Sequence, residues 1–264
     1  MARSLSGERT VPQSADPFAL AVRAMYRTTT DVAPMGPFQV AVSPVRNPSR
    51  HLLARRLLNV LVAVVGIVIT LPLMILIGML VRLTSPGPAI HKQERIGLDR
   101  RRLTCPLGFP PAWDRRRHDL GGRPFTIFKF RTMTVDSGQE QRWASAGDPR
   151  ITRLGRFLRA HRLDELPQLF NVVRGEMNVV GPRPEQPRIF SDLAEQVRGY
   201  RTRQRVLPGI TGLAQVTLPY DQSIESVRAK VARDLQYVRQ GTLLTDVAVM
   251  GRTVFVMLSR RGAR

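Results

Sequence analysis

The residues best suited to chemistry lie between positions 163 and 185, which read Leu-Asp-Glu-Leu-Pro-Gln-Leu-Phe-Asn-Val-Val-Arg-Gly-Glu-Met-Asn-Val-Val-Gly-Pro-Arg-Pro-Glu. Two adjacent carboxylates, Asp164 and Glu165, precede a short apolar pattern, and a stiff Gly-Pro-Arg-Pro loop carrying Arg183 follows. Carboxylates with arginines close by suit chemistry on a phosphate. Asp164 is placed as an N-cap, able to accept from the free amides of a first turn. Pro167 falls inside that turn, where its missing N–H costs little. Leu166, Leu169, Phe170 and Val173 follow the i, i+3, i+4, i+7 spacing of one buried helix face, and Gly175 stands where a left-handed C-cap is expected. Neighbouring helical side chains point roughly 100° apart, so the two carboxylates take different roles: one to attack phosphorus, the other to hold a metal. Asp-Glu is also an ordinary way to begin a helix.

The elements that must position this pair are read from composition and patterning. The 264 residues carry a net charge of +21, almost all from arginine, with Lys92, Lys129 and Lys230 the only lysines. Such charge predicts anionic partners: nucleic acid, anionic lipid or phosphorylated substrates. The single cysteine, Cys105, excludes an intramolecular disulfide framework, and His51, His91, His118 and His161 show no metal-ligand spacing. Residues 1–50 are expected to be mostly disordered, with a short helix around Phe18–Tyr26, and do not resemble a cleavable signal sequence.

Residues 57–81 are an uninterrupted apolar run with Pro72 near its middle. The run is long enough to span a bilayer. Yet Arg55, Arg56 and Arg82 flank it on both sides, and basic flanks prefer the cytoplasm. These features favour a re-entrant membrane helix over 51–84; a straight span is the alternative. Residues 85–258 are read as one small catalytic domain of mixed, α/β-like and helix-rich class, containing an exposed basic loop insertion at 99–123. A basic tail occupies 259–264. Ala89–Leu98 reads as a strand and turn. Pro124–Met133 alternates as a strand, placing Lys129 and Arg131 on one face. Arginines recur at 150, 153, 156, 159 and 162, just before the carboxylates, in what reads as a solvated helix face. Residues 189–205 and Ser223–Arg239 look helical. Leu243–Leu258 reads as an amphipathic helix lying on the membrane surface or the core.

The order of Gln93-Glu-Arg-Ile-Gly-Leu98, Lys129-Phe-Arg-Thr-Met133, Ile151-Thr-Arg-Leu-Gly-Arg-Phe-Leu-Arg159, Leu163–Val172, Val180-Gly-Pro-Arg-Pro-Glu185 and Pro208-Gly-Ile-Thr-Gly-Leu-Ala-Gln-Val216 resembles the bacterial sugar transferases, the monotopic polyprenyl-phosphate sugar-1-phosphate transferases. The resemblance runs from about Arg55 to about Gly251. It implies transfer of a sugar-1-phosphate from a UDP-sugar to a polyprenyl (undecaprenyl) phosphate, with UMP leaving, as the first step of exopolysaccharide, O-antigen, capsule or related glycan assembly. It further implies Asp164 as nucleophile, forming a phosphosugar–aspartyl intermediate, and Glu165 as the Mg²⁺ ligand. Lys129, Arg131 and Arg183 would surround the phosphates, with Asp234 supporting the site. Membrane lipids are implied partners, at the cytoplasmic face of the bacterial inner membrane; a homodimer is left open and nucleic acid is not expected.

Some positions depart from the family pattern. Leu207 replaces a common basic residue, and Leu213 a common Trp. Glu176 and Asn178 stand for a common Asp and Ser. Thr217-Leu-Pro-Tyr-Asp221 removes a phosphate-binding arginine, for which Arg228 is the expected substitute. A membrane-anchored nucleic-acid-binding protein, motivated by the charge, and a catalytically silent scaffold are the competing readings.

Overall fold

The computed structural model describes residues 49–99, 121–134, 148–218 and 223–258. The expectations for 1–48, for 100–120 of the basic insertion and for the 259–264 tail lie outside the described residues. The fold is helix-rich and mixed, with one long apolar helix. That helix, α1, spans Ser49–Thr84 and runs through Pro72 without interruption. It is long because little between Leu57 and Val81 favours leaving it: there is no charge, and Asn59, Gly66, Pro72 and Gly78 stand singly among apolar residues. Only 17% of its most apolar window is buried against the rest of the protein.

The buried part of α1 is spread along its length. Near its start, Arg55 pairs with Asp246 at 2.7 Å, and Arg56 donates to the Val172 and Val173 carbonyls at 2.6 and 2.9 Å. Asn59 accepts from the Val179 amide. One turn further, Ala63 is buried with Ile127, Val172 and Met177. Near its end, Met74, Ile77 and Val81 are buried with Phe130 and Leu158. Both halves of α1 thus meet the segment that holds Ile127 and Phe130, each half with further partners of its own.

Those elements are two small sheets and a shell of helices. Strands β1 (Ile90–Ile96) and β2 (Pro124–Phe130) pair antiparallel, from Ile90 opposite Phe130 to Ile96 opposite Pro124. Helix α2 covers Arg153–Ala160, capped by Thr152, whose hydroxyl accepts from the Gly155 amide. A 3-10 turn at Leu163–Glu165 leads to α3 (Gln168–Arg174) and β3 (Asn178–Val180). Then come α4 (Pro187–Gln196), a 3-10 segment at Tyr200–Arg205 and β4 (Gly209–Thr211), which pairs parallel with β3. Helices α5 (Leu213–Thr217), α6 (Ile224–Gln240) and α7 (Leu243–Leu258) complete the order. The largest apolar cluster joins β1, α4, the 3-10 segment and α6 through Ile96, Ile189, Phe190, Leu193, Tyr200, Val227, Val231 and Leu235. Helix α7 forms over the expected span, with Asp246 and Val249 buried and the apolar Leu244, Val247, Val254 and Phe255 exposed.

Two local expectations are corrected. Asp164 is not the N-cap of one helix. It sits inside the 3-10 turn, and α3 begins only at Gln168, with Pro167 at the cap position and no side-chain cap bond. Pro167 supplies the reason: it donates no amide toward Leu163 O, which instead accepts from the Leu166 amide at 3.3 Å, so this stretch winds as a tighter three-residue turn before α3 begins. Gly175 does close α3 in the left-handed region, at φ 81. The expected buried face of α3 is also wrong in part. Phe170 and Val173 are exposed, and the inner face is Gln168, Asn171 and Val172. Asn171 explains the rotation. Its amide donates to Thr126 O at 2.7 Å and its carbonyl accepts from the Phe128 amide at 3.2 Å, so α3 is turned to satisfy the open edge of β2.

Candidate active site

The Asp164–Glu165 turn is entered through Arg162, the one described non-glycine residue with positive φ (54). The Arg162 carbonyl then accepts from the Glu165 amide at 3.2 Å and closes the turn. Both carboxylates are buried, at 9% and 7% exposure, which is uncommon for acids unless cations or ligands meet them.

Cations do meet one of them. Glu165 Oε1 accepts from Arg183 Nη2 at 2.7 Å and from Lys129 Nζ at 3.4 Å. Burial pushes the Glu165 carboxyl up. The Arg183 guanidinium and the Lys129 ammonium, helped by Arg162, outweigh burial and hold it well below the usual carboxylate range. Lys129 is in turn pushed down to about 8 by burial, against the pull of Glu165. Asp164 goes the other way. Burial and then the Glu165 charge raise it, against Lys129, Arg183 and Arg159. Among the described residues, no hydrogen bond or ion pair is made to the Asp164 carboxylate. The pair therefore divides into an anchored, permanently charged acid and a more basic, uncommitted one.

Arg183 is held by its backbone. The four carbonyls of the Pro182–Glu185 loop accept from three different elements, β4, the 3-10 segment and β1. Gly209 N reaches Pro182 O at 3.0 Å, and Arg203 Nη2 reaches Arg183 O at 3.0 Å. Arg95 Nη1 reaches Pro184 O at 3.0 Å, and Ile96 N reaches Glu185 O at 2.9 Å. Gly181 makes the crossing of this loop with the Pro208–Gly212 loop sterically feasible: a Cβ there would lie 2.5 Å from Leu207 O and 2.8 Å from Gly209 N.

The other expected site residues are placed as follows. Asp234 lies behind the loop rather than beside the carboxylate pair. It accepts from Arg203 Nε at 2.7 Å, and Arg203 lies 4.7 Å from the Tyr200 ring centroid. Asp234 thus reaches Arg183 only through Arg203. Arg131 is buried against the end of α1, where Nη2 donates to Val81 O at 3.3 Å, Ser85 O at 2.6 Å and Ser85 Oγ at 2.8 Å. Its Nε and Nη1 are buried without a hydrogen-bond partner. No described contact brings Arg131 to the carboxylates. Arg228 is exposed and pairs with Glu225 at 3.3 Å, one turn away on α6. Lys129, Asp164, Glu165 and Arg183 are the residues the structure gathers.

Sequence reasoning missed Arg95, Arg159, Arg162 and Arg203. Arg159 donates to Thr132 Oγ1 at 2.9 Å and acts on Asp164, while Arg162 acts on Glu165. Their signal was the three-residue arginine spacing, read as a solvated face. Arg203 carries no comparable signal, because Arg198, Arg201 and Arg205 surround it.

No group of three or more His, Cys, Asp and Glu side chains is gathered for a metal among the described residues. Magnesium does not require one, since it commonly binds through one or two carboxylates together with substrate phosphates and water. The second oxygen of Glu165 and the uncommitted Asp164 fit a shared site of that kind, and do not fit an all-protein cage.

The chain is similar in sequence to several undecaprenyl-phosphate sugar phosphotransferases. A UDP-N-acetylgalactosamine-undecaprenyl-phosphate N-acetylgalactosaminephosphotransferase of Aeromonas hydrophila is 36% identical over 211 residues, 80% of this chain and 45% of the relative. A UDP-glucose:undecaprenyl-phosphate glucose-1-phosphate transferase of Caulobacter vibrioides is 36% identical over 214 residues, 80% of this chain and 72% of the relative. A putative undecaprenyl-phosphate N-acetylgalactosaminyl 1-phosphate transferase of Bacillus subtilis is 36% identical over 156 residues, 59% of this chain and 75% of the relative. The chain spans less than half the length of the Aeromonas relative and most of the length of the other two. The sequence model of the bacterial sugar transferases matches residues 50–106 and 107–260, and the chain belongs to that family.

Proposed function

We propose that the protein transfers a sugar-1-phosphate from a UDP-sugar to undecaprenyl phosphate and releases UMP, the first membrane-committed step of a surface or secreted glycan. The observation that carries this reading is the split between the carboxylates. Glu165 is neutralised by Lys129 and Arg183, while Asp164 keeps a buried, hydrogen-bond-poor carboxylate beside the same cations.

The steps follow from that split. The donor diphosphate is drawn in by Lys129 and Arg183. An Asp164 oxygen attacks the β-phosphorus; the P–O bond to the uridine-bearing phosphate breaks, and UMP leaves with its electron pair. The sugar-1-phosphate is then an acyl phosphate on Asp164. An oxygen of undecaprenyl phosphate attacks that phosphorus, and Asp164 leaves as a carboxylate, ready for another turn. A covalent relay of this kind divides one difficult displacement into two. Magnesium on Glu165 would supply further neutralisation of the diphosphate. The fixed cations need no reorganisation at the moment of transfer, which is where electrostatic stabilisation is largest.

In this reading α1 is re-entrant and keeps the site at the cytoplasmic face of the inner membrane, where a soluble donor meets a lipid acceptor. The support is that both halves of α1 meet the strand that holds Ile127 and Phe130. The relatives' names make UDP-glucose and UDP-N-acetylgalactosamine the first donors to assay. The direct test incubates purified protein with Mg²⁺, undecaprenyl phosphate and each donor, and follows UMP. Release of UMP with a lipid-linked sugar phosphate as co-product is the expected result; its absence with every nucleotide sugar overturns the reading.

A further inference from the structure

The arginines that precede the carboxylates are not equivalent once placed. Arg153 and Arg156 on α2 are exposed, and among the described residues neither makes a hydrogen bond or an ion pair. Phe157 beside them is 55% exposed. The opposite face of α2 is buried: Leu158 packs with Met74, Ile77 and Val81 in the C-terminal half of α1, and Leu154 joins the same cluster. That half of α1 presents Leu76, Leu80 and Leu83 outward. Helix α2 therefore meets the lipid-facing helix through Leu154 and Leu158, with two uncompensated cations and a phenyl ring on its open side.

The ladder leads inward from there. Residues three apart on an α-helix are displaced by about 60° around its axis, and Arg153 to Arg159 covers about 9 Å of rise. Arg159 is half-buried and fastened to Thr132, and its charge acts on Asp164; Arg162 acts on Glu165. Gly155 fixes this path, because a Cβ there would collide with the backbone of Thr132 next to β2. A line of positive charge thus runs from the surface that meets lipid to the carboxylate pair. Solvated arginines on an otherwise polar helix would explain Arg153 and Arg156 alone. They do not explain the exposed Phe157, the apolar helix under the same turn, or the inward continuation to the site.

We infer that the open side of α2, formed by Arg153, Arg156 and Phe157, is the entry surface for the phosphate headgroup of the polyprenyl acceptor. Arg153 and Arg156 receive the phosphate at the bilayer surface, Phe157 packs on the first isoprene units, and Arg159 passes the phosphate toward Asp164. This assignment rests on the function proposed above and names the acceptor's side of that site.

The test uses the full chain with Arg153 and Arg156 both changed to Gln, and both changed to Glu, after thermal melting shows each variant folded. Binding of undecaprenyl phosphate is titrated in phosphatidylcholine nanodiscs without donor, so it reads this surface whether or not transfer is observed. Transfer is then assayed against both substrates. The expected result is acceptor binding weakened at least about fivefold for Gln and more for Glu, as loss of charged contacts requires. The acceptor KM should rise in parallel, and the donor KM should move less than twofold. Acceptor binding within twofold of wild type overturns the inference, as does an equal rise in both KM values. Sedimentation with phosphatidylglycerol vesicles supplies the remaining arm. If the variants lose only vesicle binding and keep acceptor affinity, α2 is a contact for bulk anionic lipid and the inference fails. Wild-type protein that binds the acceptor in an arginine-dependent way but transfers nothing would instead overturn the proposed function and leave this surface standing.

Discussion

At the residue scale, the chemistry depends on two neighbouring acids in opposite electrostatic states. Asp164→Asn keeps shape and removes the attacking charge, so formation of the acyl phosphate should fall by at least about a thousandfold. Mass spectrometry of protein quenched with its donor checks this: the wild type gains the mass of a sugar phosphate on Asp164 and the variant does not. Lys129 sets a second expectation. Because burial pushes its ammonium down to about 8, raising the pH through that value removes one of the two cations on Glu165. Donor kcat/KM should therefore decline above about pH 8. Lys129→Arg, whose charge persists, should carry the plateau to higher pH even if its maximum is lower. The acid limb belongs to Asp164, which must be ionised to attack. Its raised pKa places that limb above the ordinary aspartate range, and activity should be lost as pH falls through it. The adjacent acids, Lys129 and Arg183 were legible in the sequence because each stands in a short motif with few alternatives. Residue spacing alone made the division of labour between Asp164 and Glu165 legible only as a need; its assignment came from the family resemblance. What decides it is which oxygen Arg183 meets across 18 residues of chain, and no local pattern encodes that.

At the scale of elements, the site is a set of loops pinned by remote donors. The buried Arg203–Asp234 pair joins the 3-10 segment to α6 and presents one guanidinium nitrogen to Arg183 O. Asp234→Ala leaves Arg203 charged, buried and unpaired, which should cost about 3–5 kcal/mol of stability, read as a lowered denaturation midpoint. Changing Arg203→Met together with Asp234→Leu removes both charges and should cost less than the single variant. It should still slow transfer, since Arg183 O loses its donor. A purely structural pair would restore activity along with stability, so the double variant separates the two roles. Periodicity located β2 and the helical spans of α6 and α7, all long enough to show a repeat. It could not locate β3 and β4, three residues each, or the break at Pro167, because such short pieces are set by the contacts they serve. The misassigned face of α3 has the same origin: beside a membrane helix, apolar residues such as Phe170 and Val173 need not turn inward. Arg131 is the converse case. Strand alternation puts it on the face of Lys129, but β2 ends at Phe130, and the guanidinium turns to the carbonyls that close α1.

At the scale of the whole molecule, the decisive relation is between α1 and the domain that grips it. Arg55 is bound to Asp246 and Val81 is buried with Phe130 and Leu158, so one folded unit holds positions 26 residues apart on a single helix. At 1.5 Å per residue an unbent helix would separate them by about 39 Å. A hydrocarbon core is about 30 Å thick, so a perpendicular span would place the two grips on opposite sides of the bilayer. Phe130 and Leu158 share one apolar cluster, and Asp246 is tied to β3 through Tyr237, whose hydroxyl lies 2.7 Å from Asp246 Oδ1 and 3.0 Å from Val180 O, so these elements are not readily divided that way. The outward Leu53, Leu61, Ile69, Leu76 and Leu83 leave an apolar surface along the whole helix, which the proposed function assigns to lipid. Both demands are met when α1 enters the membrane shallowly and both of its ends return to one face. The prediction is then specific. In a Cys105→Ser background, single cysteines replacing Ala54 and Pro88, exposed positions at either end of α1, should both resist a membrane-impermeant maleimide applied to intact spheroplasts. Both should react once the membrane is permeabilised. Labelling of one position but not the other in intact spheroplasts would establish a span. The grip of one domain on both ends of α1 would then have to be broken in the membrane, and the proposed meeting of donor, acceptor and Asp164 at one surface would fail with it.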